Sequence, residues 1–155
     1  VRLSGWILLS LLFWGCHDSP VSLPYPLTIT PEGVGAIHLN GTFDIPLLCG
    51  KLPGFEIKKL SSVTPDQPQT ILQLTRYDEP IALIVSDSSK TTIAQIIVRS
   101  PLIKDSAGVG VNNILPISEK LRCDHNQCRY QDKPAITYRI EPQSRSIREI
   151  IVQQL

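Results

Sequence analysis

The six residues Cys123-Asp124-His125-Asn126-Gln127-Cys128 concentrate more potential chemistry than any other stretch of this chain. Two thiols and an imidazole so close together are three ligands of the kind that hold zinc. Zinc also needs a fourth ligand and usually a second close pair. The sequence offers no such pair, so no metal is expected. In an oxidising compartment the spacing has a simpler reading. Cys123 and Cys128 close a short hairpin loop as a disulfide and present Asp124, His125, Asn126 and Gln127 as a candidate binding loop. Cys49 is left over. Inside the apolar run Ile45–Leu48 it is expected to be a buried small hydrophobe.

Catalytic patterns are missing. A hydrolase needs a nucleophile beside a base, yet there is no Gly-X-Ser-X-Gly, and His17, His38 and His125 lie in three separate stretches. Gly33-Val34-Gly35 is too short for a phosphate loop and lacks a third glycine. The adjacent carboxylates Asp78-Glu79, followed by Pro80, read as a turn. The chain is expected to be no enzyme and to need no cofactor.

An oxidising compartment is what the N-terminal residues imply. Arg2 precedes an apolar run from Gly5 to Gly15, which as a helix would span about 16 Å, half of a bilayer's hydrocarbon core. A charged start, a short apolar middle and a small end match a secretory signal peptide over residues 1–15. Gly15-Cys16 resembles the lipobox of bacterial lipoproteins, so Cys16 is the expected lipidation site and the lipid the expected hold on the membrane. Residues 16–32 carry Pro20, Pro24, Pro26 and Pro31. They are expected to form an extended tether, with one domain over 33–155. His17 rather than aspartate follows the cysteine. By analogy with lipoprotein sorting, that favours the inner leaflet of the outer membrane, facing the periplasm.

Charge narrows the partners. The chain carries 15 Lys+Arg against 14 Asp+Glu, and Arg2 is the one charge that leaves with the leader. A balance near zero without a basic stripe excludes the usual nucleic-acid binder. No polybasic segment follows Cys16 to grip anionic headgroups, so the lipid rather than charge is expected to hold the protein down. An envelope protein of unknown identity is the expected partner.

The loop must be carried by strands. Runs rich in β-branched and aliphatic residues predict strands at 55–60, 70–77, 81–86, 92–99, 128–130, 135–140 and 147–152, separated by Asp, Ser and Pro turns. Two short helices are also predicted. The first follows Thr42 as cap, with Asp44 in its first turn and Phe43, Leu47 and Leu48 on one side. The second follows Asn113, with Ile114, Ile117 and Leu121 at spacings of three and four. A Gly-Val-Gly precedes each, at 33–35 and 108–110, and Ile93–Val98 shares Ile-X-X-Ile-Ile-Val with Ile147–Val152. The expected fold is α+β: a mostly antiparallel twisted sheet with two short helices and a weak internal duplication.

The order of Glu32-Gly33-Val34-Gly35, the Ile93–Val98 run, Gly108-Val109, the paired cysteines, Ile136-Thr137-Tyr138 and a final Ile-Ile strand resembles the YfeY-like family of enterobacterial lipoproteins. That family is linked to the sigma-E envelope-stress regulon and has no assigned activity. The resemblance implies an envelope lipoprotein with a periplasmic domain in envelope maintenance or stress response. A second resemblance concerns the clamped loop alone. It is similar to the inhibitory loop of Ivy-type periplasmic lysozyme inhibitors, where a disulfide-held loop presents a histidine, here His125, to the enzyme's carboxylates. Clamping such a loop lowers the ordering cost of binding.

Overall fold

The computed structural model describes residues 22–60, 66 and 69–155; the expected leader, Cys16 and the first residues of the tether lie outside the described residues. Eight strands make one sheet. They are β4 (Glu56–Leu60), β5 (Ile71–Arg76), β6 (Glu79–Ser86), β7 (Ile93–Val98), β9 (Leu121–Asp124), β10 (Gln127–Tyr130), β11 (Ile136–Ile140) and β12 (Ile147–Gln153). Their order is β4-β5-β6-β7-β12-β11-β10-β9, and every neighbouring pair is antiparallel. Two meanders therefore meet at β7 and β12, and β4 and β9 are left as edges. Ile97 lies opposite Ile151, with Ile96↔Val152 and Val98↔Ile150 on either side.

Local chemistry makes the turns. Tyr77 and Asp78, both at positive φ (49° and 61°), reverse the chain between β5 and β6. Between β6 and β7 the Asp87 carboxylate accepts the Thr91 N–H at 2.9 Å, the Thr92 N–H at 3.2 Å and the Ser89 hydroxyl at 2.5 Å. These donors favour the ionised carboxyl and pull its pKa from 3.8 to about 2.

The inner face of the sheet is buried beneath a smaller one. β1 (Thr28–Thr30) pairs antiparallel with β2 (Gly33–Val34) and parallel with β8 (Lys104–Asp105), and β2 pairs with β3 (Ile37–His38). Gly33 is required there, because a Cβ would lie 2.0 Å from the Ile37 carbonyl oxygen. Leu72, Leu74, Ile84, Ile96, Val98, Ile150 and Val152 of the large sheet join Ile29, Val34 and Ile37 of the small one in a single core. At about 25 cal/mol per Å² of apolar surface, their burial is the main force holding the layers together. One short helix, α1 (Ile45–Lys51), closes the side and sends Leu48 into that core.

Several expectations are corrected. The segment expected as tether is part of the domain from at least Leu23: Leu27 and Ile29 are buried and Thr28–Thr30 form β1, with Pro24 and Pro26 leading into the strand and Pro31 ending it. The first helix is present but starts from Asp44, whose Oδ2 accepts the Leu47 N–H at 3.0 Å; Thr42 instead bridges to Thr92. Only Leu48 of its apolar residues turns inward. Cys49, about 100° further round, is free and exposed rather than buried, and Leu47 is exposed too. No second helix follows Asn113. That stretch lies extended against the start of β12: Asn112 N–H donates to Ile147 O, Ile147 N–H to Asn113 O, and Leu115 N–H to Arg145 O. Ile114 and Ile117, the residues meant to face a core, are 67% and 81% exposed. α1 is thus the one helix among the described residues, and the fold is mostly antiparallel β.

Candidate functional site

β9 and β10 pair with Asp124 opposite Gln127 and Cys123 opposite Cys128, which leaves only His125 and Asn126 to make the turn. His125 takes the left-handed conformation (φ 55°) that such a tight reversal demands. The disulfide Cys123–Cys128 is formed, with Cα atoms 4.1 Å apart. Cys128 faces the core, fully buried, and pins the hairpin from below. His125 and Asp124 point outward, each with a side chain 92% exposed, and His125 Nδ1 lies 2.7 Å from Asp124 Oδ1. Asn126 turns the other way: its carbonyl accepts the Ile140 N–H at 2.9 Å and seats the tip against the end of β11. Gln127 is level with Arg139. The predicted loop is therefore one clamped, water-exposed tip whose base is fixed on two sides.

Beside that tip opens a cleft of about 410 Å³, lined by Asn126, Arg139, Glu141, Arg148 and Glu149 among others. It continues onto the outer face of the large sheet, which the sequence reading missed. Strand alternation and register place Arg99, Glu149, Arg139 and Gln127 in one row across β7's end, β12, β11 and β10. Glu149 joins two strands in that row, accepting Arg139 at 2.6 Å and Arg99 at 3.2 Å. In the next row the Arg129 Nε donates to Thr137 Oγ1 at 2.7 Å, and Arg122 lies directly opposite Arg129. A bulge at the start of β12 inserts Arg148 opposite the Arg139/Ile140 step, where it pairs with Glu141. Isolated arginines in four short strands gave no signal along the chain; the order of the strands gathers them.

On the inner face, Asp105 and Tyr138 form a buried polar pair. Asp105 Oδ1 accepts the Ala107 and Val109 N–H groups at 2.9 Å each, and Oδ2 accepts the Tyr138 hydroxyl at 2.8 Å. Burial, reinforced by the hydrogen bond and charge of Asp105, holds the Tyr138 pKa far above that of a free phenol. Both carboxylate oxygens are satisfied, which suits a structural tie between the two sheets.

The residues brought together are suited to recognition. His38 lies in the small sheet and His125 at the hairpin tip of the large one, so the two imidazoles stay apart. Among the described residues no group of three His, Cys, Asp or Glu side chains could hold a metal ion.

The fold and this surface define a class of protein: a small antiparallel α+β domain with one sheet face covered and the other open. The crystal structure of the uncharacterized protein YfeY from Escherichia coli has this architecture. It matches with a TM-score of 0.65 over 82% of this chain and 99% of that one, at 15% sequence identity. The YfeY-like fold expected from the order of motifs is therefore the fold present. No family model and no curated protein matches the sequence.

Proposed function

We propose that this chain is a cell-envelope lipoprotein whose periplasmic domain acts by binding rather than catalysis. Cys16 carries the lipid, and the inner leaflet of the outer membrane is the site of attachment. The observation that carries the reading is the order leader, small residue, cysteine, followed by packed chain within a few residues: Ser22 is already held through its carbonyl by Arg76 Nε at 2.7 Å. Cys16→Ala should move the protein from the membrane fraction into the soluble periplasm. Unchanged membrane fractionation would defeat the reading.

The internal duplication is part of the same proposal. Each meander contributes the strand of its shared Ile-X-X-Ile-Ile-Val motif to the central seam, where the equivalent residues Ile97 and Ile151 stand opposite each other.

A second reading has one observation in its favour. His125 stands fully out on a two-residue turn clamped by a disulfide, the presentation a lysozyme inhibitor uses. Titrating lysozyme with the purified protein decides between the two. The binding-domain reading expects no inhibition, while stoichiometric inhibition relieved by His125→Ala would establish the alternative.

A further inference from the structure

We infer that the arginine-bearing outer face of β7, β12, β11, β10 and β9 rests on the anionic phospholipid headgroups of the bilayer that anchors the chain. The inference rests on the lipoprotein reading for its tether and on the folded domain for its charge.

The charge is concentrated by the fold. Arg99, Arg122, Arg129, Arg139 and Arg148 converge on this half of the sheet, where Glu149, Glu141 and Asp124 are the facing carboxylates. Asp124 is turned toward His125. Arg122 and Arg129 stand directly opposite each other, a like-charge pairing that an anion would relieve; one terminal nitrogen of Arg122 donates to the Glu119 and Leu121 carbonyls at 2.7 and 2.9 Å, and its other donors remain for a ligand. Among the described residues, the side-chain contact of Arg129 is the one from Nε to Thr137, and that of Arg139 is the one from a single terminal nitrogen to Glu149. Most of their guanidinium donors are left for planar, bidentate contact, which phosphate oxygens satisfy well. Behind the arginines the half-exposed Ile97 and Ile151 offer apolar surface to the interface.

The tether fixes which end meets the membrane. Ser22 is held by Arg76, the last residue of β5. Because the strands are antiparallel, that end of the sheet also carries the end of β7, the end of β11 and the start of β12, and therefore Arg99, Arg139 and Arg148. Cys16 is six residues from Ser22, a reach of about 20 Å at most. From β5 to β11 is four strand spacings, about 19 Å. A lipid on Cys16 thus holds this end of the sheet within reach of the headgroups. The β4–β6 corner of the same end is slightly acidic, with Glu56, Asp78 and Glu79 against Lys58 and Arg76, so it is the arginine half that turns toward anionic headgroups.

The test is co-sedimentation of the mature chain, residues 16–155 carrying Cys16→Ala, with vesicles, comparing phosphatidylglycerol-containing with pure phosphatidylcholine membranes. The expected result is a preference for phosphatidylglycerol that vanishes at about 1 M salt, where the Debye length is about 3 Å. Arg122→Gln with Arg129→Gln should weaken that preference by about 25-fold, about fivefold for each arginine. An unchanged circular dichroism spectrum and an intact disulfide would show that the variant is folded, and the salt dependence of the unmutated face reads the same interaction without substitution. No preference for phosphatidylglycerol, or a preference untouched by the two substitutions, overturns the inference. So does loss of an envelope-protein crosslink in the variant without vesicle binding, which would make the partner an acidic protein. Because the vesicles are presented to a chain without its lipid, failure here is separable from failure of Cys16 lipidation, which fractionation alone reads.

Discussion

The two faces of the eight-stranded sheet are built from alternate residues of the same strands, yet they obey different rules. Ile96, Val98, Ile150 and Val152 on the inner face are fully buried, while Gln95, Ile97, Ile151 and Gln153 beside them on the outer face are half open. The inner face is held by apolar contact, with the buried Tyr138–Asp105 pair as a polar tie. The outer face is held by cross-strand polar pairs: Gln95 Nε2 to Gln153 Oε1 at 2.9 Å, and Glu149 between its two arginines. One face therefore stores stability, and the other stores charge at little cost to it. A chain neutral overall still presents a basic surface, because the pleat sorts charges that composition averages.

The sharpest way to break this comparison is one step along β12. Ile150→Ala should cost about 2–5 kcal/mol, as a fully buried Ile leaves a cavity, and Ile151→Ala should cost well under half of that. Urea unfolding of the two variants would measure the difference; equal losses would mean the outer face is as packed as the inner. Next in size, Cys123→Ala with Cys128→Ala should lower stability by about 2 kcal/mol through the freed hairpin, read as the loss in urea unfolding relative to the unsubstituted, oxidised protein. Tyr138→Phe should cost about 1–2 kcal/mol, because it strips a donor from a buried carboxylate. The same loss measured in high salt would mark the tie as a buried one, unlike the screened pairs outside. Smallest is the Asp87 turn. Its folded pKa lies below the ordinary 3.8, so its contribution is present above about pH 4 and is lost as pH falls through about 2. Asp87→Asn should flatten that acid limb in a pH series of melting temperatures while leaving the neutral-pH fold intact.

Much of the large sheet was legible in the sequence, because strands such as Ile136–Ile140 and Ile147–Gln153 are β-branched, alternating and bounded by turn residues. The hairpin disulfide was legible as well, since a gap so short admits few other partners. The failures have a common cause. Ile114, Ile117 and Leu121 fit a helical period, but the backbone groups around Asn112 and Leu115 find partners in Ile147 and Arg145, and long-range pairing overrides a local period. Leu27 and Ile29 were hidden among prolines that signal extension, and an extended segment can be a strand as readily as a tether. The arginine face was illegible because it belongs to no segment. It exists only once β12 is placed between β7 and β11.

That placement has a consequence for how the protein is made. β12 is the last strand in sequence, yet it is the one that joins the two meanders. A chain that emerges from its N-terminus has both meanders complete before the strand that unites them. Until Ile147–Gln153 is in place, β7 and β11 each expose an unsatisfied edge, and such edges invite pairing with other chains. A chain cut short before Ile147 thus remains two open half-sheets, each with an edge free to pair with another chain.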